Sequence, residues 1–345
     1  MRRAMLLLAI SSIAFHASGQ NKELEALSRA NYIERFPDYF FVWPVLKRRT
    51  PSFTLENKNN SHQKLMYRAN ADYYAGFGVY IFEIGFQFAV ALPASTAVTN
   101  KFGKSNAVDL QANLVGSNWG FEIYNQKYNG YYIDDPNKPI PAGVPLPQRH
   151  DIWTRDYGMN GVLFSNKRYS LRSTLNYFER QLKSVGSLLF AGTISSLELR
   201  TDSALFDSKY NAEFGEASNI QRLNYSTIGI GPGYGHNFVI KKKWFFAMSL
   251  AVGPSLNWLK YQGTGGNWKS NVQVQIFTDI RISLGYNTER FFAGISYIRQ
   301  SRQISYERVH LTTFNDAVKL AVGYRFREVG ILKRRAADFL LPKSR

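Results

Sequence analysis

Asp279 and Arg281 lie two residues apart in a segment where polar and apolar side chains alternate, so a carboxylate and a guanidinium share one face of an extended chain. Opposite charges at that spacing either neutralise each other as a buried ion pair or line an aqueous path and select solutes. Asp109, Arg172, Lys319 and Arg325 fall on corresponding faces of their own alternating segments. The six residues predict a charged interior and leave two roles open for it: a packed salt-bridge network, or a charge-selective lumen.

Other chemistry has less support in the residue types. His62, His150, His236 and His310 occur in or near expected turns and loops, and none forms His-Glu-x-x-His or another metal spacing, so no metal or cofactor is expected. His310 with Ser305 or Ser301 and Glu307 has the residue types of a nucleophile, a base and a carboxylate, but such a triad is defined by geometry rather than spacing. The chain has no cysteine, which excludes disulfides, thiol catalysis and a lipoprotein anchor. The glycines at 229, 231, 233 and 235 recur with period two and lack a following Gly-Lys-Ser/Thr, so they fit a strand of small residues and not a phosphate loop.

The elements that must position these residues are strands. Val272, Val274, Ile276, Thr278, Ile280, Ile282, Leu284 and Tyr286 share one parity, while Gln273, Gln275, Asp279, Arg281 and Ser283 share the other. Soluble strands run to about 5–6 residues, whereas a tilted strand crossing a bilayer needs about 9–11, so this segment suits a membrane β-barrel. The same alternation marks residues 75–81, 86–92, 108–114, 119–127, 157–164, 169–178, 187–199, 225–234, 245–260, 291–297 and 318–326. The expected architecture is an all-β, closed, antiparallel transmembrane barrel of about 12 strands, range 10–14. Charges are costly on a lipid face, which places the six charged residues inside. One inconsistency stands: the tight turns at Asn166 and Asn287 have five expected strands between them, so either one strand is misassigned or the turns lie at opposite ends.

Composition agrees with a barrel. Aromatic residues make up 15% of the chain, a surplus that interfacial girdles would use. Mean hydropathy is negative, as polar lumen residues dilute lipid-facing ones. Residues 1–19 read as a cleavable export signal: Arg2 and Arg3, an apolar run, then Ala17-Ser18-Gly19. The net charge of +18 is read as basic turns facing outer-membrane lipid and lipopolysaccharide, with no nucleic-acid motif to match it. Residues 20–60 are expected outside the wall as a periplasmic or plug-like segment, because Pro37 and Pro44 disfavour a central strand. The barrel is expected over 61–326, with a proline-rich connection over 128–154 and a basic tail over 327–345. The last strand ends in the aromatic Phe326, similar to the C-terminal signal read by the barrel-insertion machinery.

The run Gln181-Leu182-Lys183-Ser184-Val185-Gly186-Ser187 resembles the Gln-x-Lys-Ser-x-Gly-Ser signature of an uncharacterised outer-membrane barrel family, domain of unknown function 4421. Gly231-Pro232-Gly233-Tyr234-Gly235, Lys243-Trp244-Phe245 and Val322-Gly323-Tyr324-Arg325-Phe326 add to the likeness. The resemblance implies a fold and a bacterial outer-membrane location, and brings no catalytic residues. The sequence therefore reads as a non-enzymatic outer-membrane barrel, structural or a narrow channel or binding barrel, whose ligand is not named. A lipid hydrolase using His310 and an envelope interaction scaffold are the alternatives.

Overall fold

The computed structural model describes residues 28–330, apart from 71–72, 82–83, 142 and 208–209. The expected export signal and most of the basic tail lie outside the described residues. Fifteen strands form in chain order: β1 (Ile33–Arg35), β2 (Tyr39–Asn57), β3 (Asn60–Arg68), β4 (Tyr73–Ile81), β5 (Ile84–Ala91), β6 (Asn106–Val115), β7 (Trp119–Asp134), β8 (Gln148–Phe164), β9 (Glu179–Gln181), β10 (Val185–Arg200), β11 (Ile220–Ile240), β12 (Trp244–Gly263), β13 (Lys269–Asn287), β14 (Phe291–Tyr306) and β15 (Val309–Arg327). Short helices α1 (Thr96–Phe102), α2 (Arg172–Leu175) and α3 (Asn211–Phe214) sit in the connections.

Ten strands close a ring in the order β2, β3, β7, β8, β10, β11, β12, β13, β14, β15, sealed by antiparallel pairing of β15 with β2. β3 and β4 both run antiparallel to β2, β3 along residues 52–57 and β4 along residues 41–48, so they behave as one strand interrupted between them. β5 pairs only with β4, and β6 only with β7. The ring thus reaches the low end of the expected range and not twelve, because no pairing joins β5 to β6 among the described residues.

The wall begins at Tyr39, and not near 61. Val42, Pro44 and Leu46 alternate with the buried Phe41, Trp43 and Val45 as in any wall strand, and Pro44 falls where the β15 ladder skips residues 43 and 44. The strand expected over 169–178 is absent; those residues form α2 and a turn inside the barrel mouth. Its removal leaves four strands between the turns at 165–184 and 288–290, so both lie at one end, with the start of β2 and the end of β15. The proline-rich connection is shorter than expected, residues 135–147, because β7 and β8 extend into it.

Both ends of the barrel are filled. At the end carrying Tyr39 and Arg327, here the terminal end, Phe36, Phe41, Trp43, Tyr177, Phe178, Phe245 and Phe292 pack together. β1 and β9 pair there, so residues 28–38 and 165–184 make one stopper. At the opposite, distal end a larger cluster includes Leu55, Leu65, Tyr67, Ile152, Leu199 and Leu223. The connection over 201–219, which reads as polar, closes that cluster with Leu205, Phe206 and Phe214, all buried.

Truncating Phe292, fully buried among Phe41, Trp43 and Tyr177, is expected to cost about 3–5 kcal/mol. Urea unfolding of Phe292→Ala in detergent micelles measures it; a loss below about 1 kcal/mol would show that the terminal cluster does not hold the wall.

Candidate functional site

Side chains of the ring strands alternate as the sequence predicts. On β13 the odd positions Phe277, Asp279 and Ser283 are buried, and the even positions Val272, Val274, Ile276 and Leu284 are more than half exposed outward. The outward apolar faces of β10 to β13 continue this band around the wall. Near the terminal end the band is edged by aromatic rings: Phe40 stacks on Phe326 at 5.3 Å, and Trp244 meets Tyr286 at 4.8 Å. Exposed Trp258 and Trp268 stand toward the distal end. On β2, β14 and β15 the band is shorter, since Arg48, Thr50, Ser52, Arg299 and Asp316 line an outward polar hollow above it.

Inside, Asp279 and Arg281 form a buried ion pair, one of the two roles that their spacing left open. The guanidinium donates through Nε to Asp279 Oδ1 at 2.7 Å and through Nη2 to Oδ2 at 2.9 Å. Gln300 donates to Asp279 Oδ2 at 2.9 Å, Asn160 donates to Gln300 at 2.9 Å, and Thr193 donates to Asn160 at 2.8 Å. This chain crosses from β13 through β14 to β8 and β10, so the two charges are tied into a transverse network. Arg302 bonds Asp156 and Ser195 on the far wall, a second buried pair.

Asp109 also faces inward, 3.3 Å from Arg49 Nε and 3.6 Å from Lys47 Nζ. Lys47 donates to Gln111 at 2.5 Å, and Gln111 donates to Glu122 at 2.7 Å. Lys319 stands directly across the ladder from Lys47, and its ammonium donates to the carbonyl of Leu175 at 2.7 Å. Lys47, Arg49, Gln111, Glu122 and Lys319 line a cavity of about 400 Å³ at mid-barrel, within the roughly 300–1,000 Å³ typical of small-molecule sites.

Two of the six predicted residues belong elsewhere. Arg172 is on α2 and not on a strand; its Nε donates to the carbonyl of Val115 at 2.7 Å and fastens the stopper to the end of β6. Arg325 faces inward but is sealed in the terminal stopper, bonded to Asn287, Tyr177 and Thr288 and lying 3.9 Å from the Phe36 ring centroid. Neither lines the cavity. Lys47, Arg49, Glu122, Asp156 and Arg302 were not legible as interior charges. Lys47 and Arg49 share the parity of Phe41 and Trp43, a signal masked by the two prolines, and Arg302 lies past the expected end of its strand.

The signature residues are structural. Gln181 is buried, accepts from Ser170 N at 2.9 Å and donates to the carbonyls of Arg168 at 2.8 Å and Tyr32 at 3.1 Å, joining both halves of the stopper. Ser184 accepts from Val239 N at 2.8 Å, and Ser187 accepts from Asn166 N at 2.9 Å. Lys183 lies over the Tyr32 ring at 5.3 Å. Gly186 leaves room for Tyr234, whose hydroxyl would stand 1.8 Å from an added Cβ.

Ser305 and His310 meet on the outer face near the distal end, Oγ to Nδ1 at 2.7 Å. The predicted carboxylate does not join them. Glu307, in the β14–β15 turn, accepts from Lys269 at 2.8 Å and Tyr261 at 2.9 Å, and these bonds hold its carboxyl below the usual carboxylate range. No cluster of three or more metal-ligating side chains occurs among the described residues.

A closed antiparallel ring with an outward apolar band and a buried charged interior defines a β-barrel of the membrane type. The chain belongs to the family described as domain of unknown function DUF4421, whose model matches residues 28–326. Among solved structures it is similar to the outer membrane protease OmpT from Escherichia coli, at 9% identity and a TM-score of 0.37 over 85% of this chain and 98% of that one. It is also similar to Ail of Yersinia pestis, at 10% identity and 0.21 over 83% and 99%, and to the Pseudomonas putida toluene transporter TodX, at 8% and 0.25 over 86% and 91%. At TM-scores this low, the likeness carries nothing about activity. No curated protein matches the sequence.

Removing one member of a buried ion pair leaves an uncompensated charge, which costs about 3–5 kcal/mol. Asp156→Leu should lose about that much in urea unfolding, and Asp156→Leu with Arg302→Met should recover most of it. Equal losses in the single and double variants would show that the pair is solvated.

Proposed function

We propose that the protein is a bacterial outer-membrane barrel that holds a small ligand in its mid-barrel cavity and does not conduct solutes along its axis. The observation that carries this reading is the filling of both barrel ends by apolar side chains, with Asp109, Asp156 and Asp279 between them each tied to an arginine. A charge-selective pore needs a continuous aqueous path past its charges, and here Asp279 and Arg281 bond to each other and to Gln300.

Outer-membrane location is supported by the apolar band with aromatic rings at its edges, and by the alternating last strand ending at Phe326, which suits recognition by the insertion machinery. The terminal end then faces the periplasm. Its Lys241-Lys242-Lys243 turn sits where anionic lipid headgroups would meet it. Arg48, Arg299 and Arg68 on the polar outer face lie toward the opposite side, where lipopolysaccharide would be the partner.

Purified protein in planar bilayers is expected to show no steady conductance, and Asp279→Asn with Arg281→Gln is expected to stay silent. Steady single-channel steps that change with those substitutions would replace the binding barrel with a channel. The protein is likewise expected to release no fatty acid from phospholipid vesicles; release that His310→Ala abolishes would favour a hydrolase built on Ser305 and His310.

A further inference from the structure

Resting on the reading of the barrel as closed along its axis, we propose that the gap between β5 and β6 is a side opening. Through it a single-chain amphiphile with an anionic head, of the fatty-acid class, passes from the membrane hydrocarbon into the cavity and binds there.

The first support is the wall itself. Toward the distal end β3 pairs directly with β7, and Asn70, Ser105 and the Gly130 carbonyl lace the junction with bonds of 2.7 Å. Toward the terminal end β4 carries β5 and β7 carries β6, and no ladder joins the two free edges among the described residues. Unpaired strand edges in hydrocarbon leave backbone N–H and C=O groups without partners, so this is where the wall yields most readily.

The cavity passes through that gap. Neighbouring residues of a strand point to opposite faces, yet the cavity is lined on β6 by Gln111 and Val115 from the inner face and by Ala112 and Leu114 from the outer one. A space that touches both faces of one strand must run past its edge. Phe88 of β5 and Phe121 of β7, both outward and well exposed, line the same space. The outer part of the cavity is therefore continuous with the lipid-facing band.

Its inner part is cationic. Lys47 and Lys319 stand directly opposite each other across the β2–β15 ladder, an arrangement that repels unless an anion lies between. Asp109 and Glu122 serve Lys47 and Arg49, whereas Lys319 makes no ion pair among the described residues and donates only to a carbonyl. Arg49 is buried and keeps Nη1 without a hydrogen-bond partner. A carboxylate head fits this surplus, and an alkyl tail fits the path past Leu114 and Phe121. A neutral hydrocarbon would leave Lys319 uncompensated beside Lys47, and a water-soluble anion has no aqueous route past the filled ends.

The test uses the full mature protein in phosphatidylcholine vesicles with the fluorescent fatty acid cis-parinaric acid as probe. Saturable binding near one probe per barrel is expected, at least tenfold tighter than for the corresponding alcohol. Lys319→Met should weaken the acid at least tenfold and leave the alcohol nearly unchanged. Ala112→Trp, an outward substitution that spares the barrel interior, should slow uptake from the bilayer at least tenfold with the circular dichroism spectrum retained. Absence of saturable binding in bilayers that stay electrically silent would overturn the proposal and leave the closed barrel standing. Equal affinity for acid and alcohol would overturn the anionic head, and undiminished uptake by Ala112→Trp would overturn the side route. Steady conductance would instead remove the reading on which the proposal rests.

Discussion

Hydrocarbon offers no partner for a backbone N–H or C=O, and the rest of this molecule follows from how those groups are satisfied. Pairing of β15 with β2, from Tyr39 with Arg327 to Asn57 with Val309, closes the sheet into a ring whose free edges are those of β5 and β6. The ring then fixes which side of every strand meets lipid, since a one-residue slip would turn Asp279 outward and Ile280 inward. The same constraint makes β5 and β6 the weak place in the wall. Each has one satisfied edge and one free edge. Pairing between them would complete a ring of twelve; their separation opens the cavity to the band.

The interior answers a second requirement, that a cylinder of this size be filled or wet. Aromatic and aliphatic side chains occupy both ends, so most of the inward charges gather in a middle layer, with Arg325 sealed in the terminal stopper. There the ion pairs contribute less to net stability than to order, because desolvation offsets much of their attraction. Their hydrogen bonds run between strands far apart in sequence, as from Asp156 on β8 to Arg302 on β14. The network therefore ties opposite walls together. Lys319 is the exception: it stands beside the like-charged Lys47 at the cavity and makes no ion pair among the described residues, which is what the proposed binding role rests on.

Much of the wall was legible because an apolar environment on one side and a polar interior on the other impose a period of two along the whole strand. Val272 to Tyr286 face as their parity demands, and Asp279 and Arg281 share the inward face that their spacing assigns them. Misassignments arose where that rule was suspended. Pro37 and Pro44 hid β2, although Pro37 precedes the strand and Pro44 sits at a ladder gap. Residues 169–178 alternate well enough to pass as a strand, yet they fold into the mouth, where Tyr169, Leu171 and Phe178 are buried against protein. The connection over 201–219 carries acidic residues that read as solvent-exposed, while Leu205, Phe206 and Phe214 between them close the distal end.

By itself the sequence determined the class of fold, the inward and outward faces of most staves and the shared inward face of Asp279 and Arg281, because all three depend on local alternation. Only the tertiary structure decided that the axis is filled, that Arg325 is sealed in the stopper, that Lys47 stands opposite Lys319 and that β5 and β6 do not meet. Those features depend on register between strands and on segments folding into the lumen. Neither is encoded in the period of any single segment, since each is settled by which distant residues compete successfully for the same interior space.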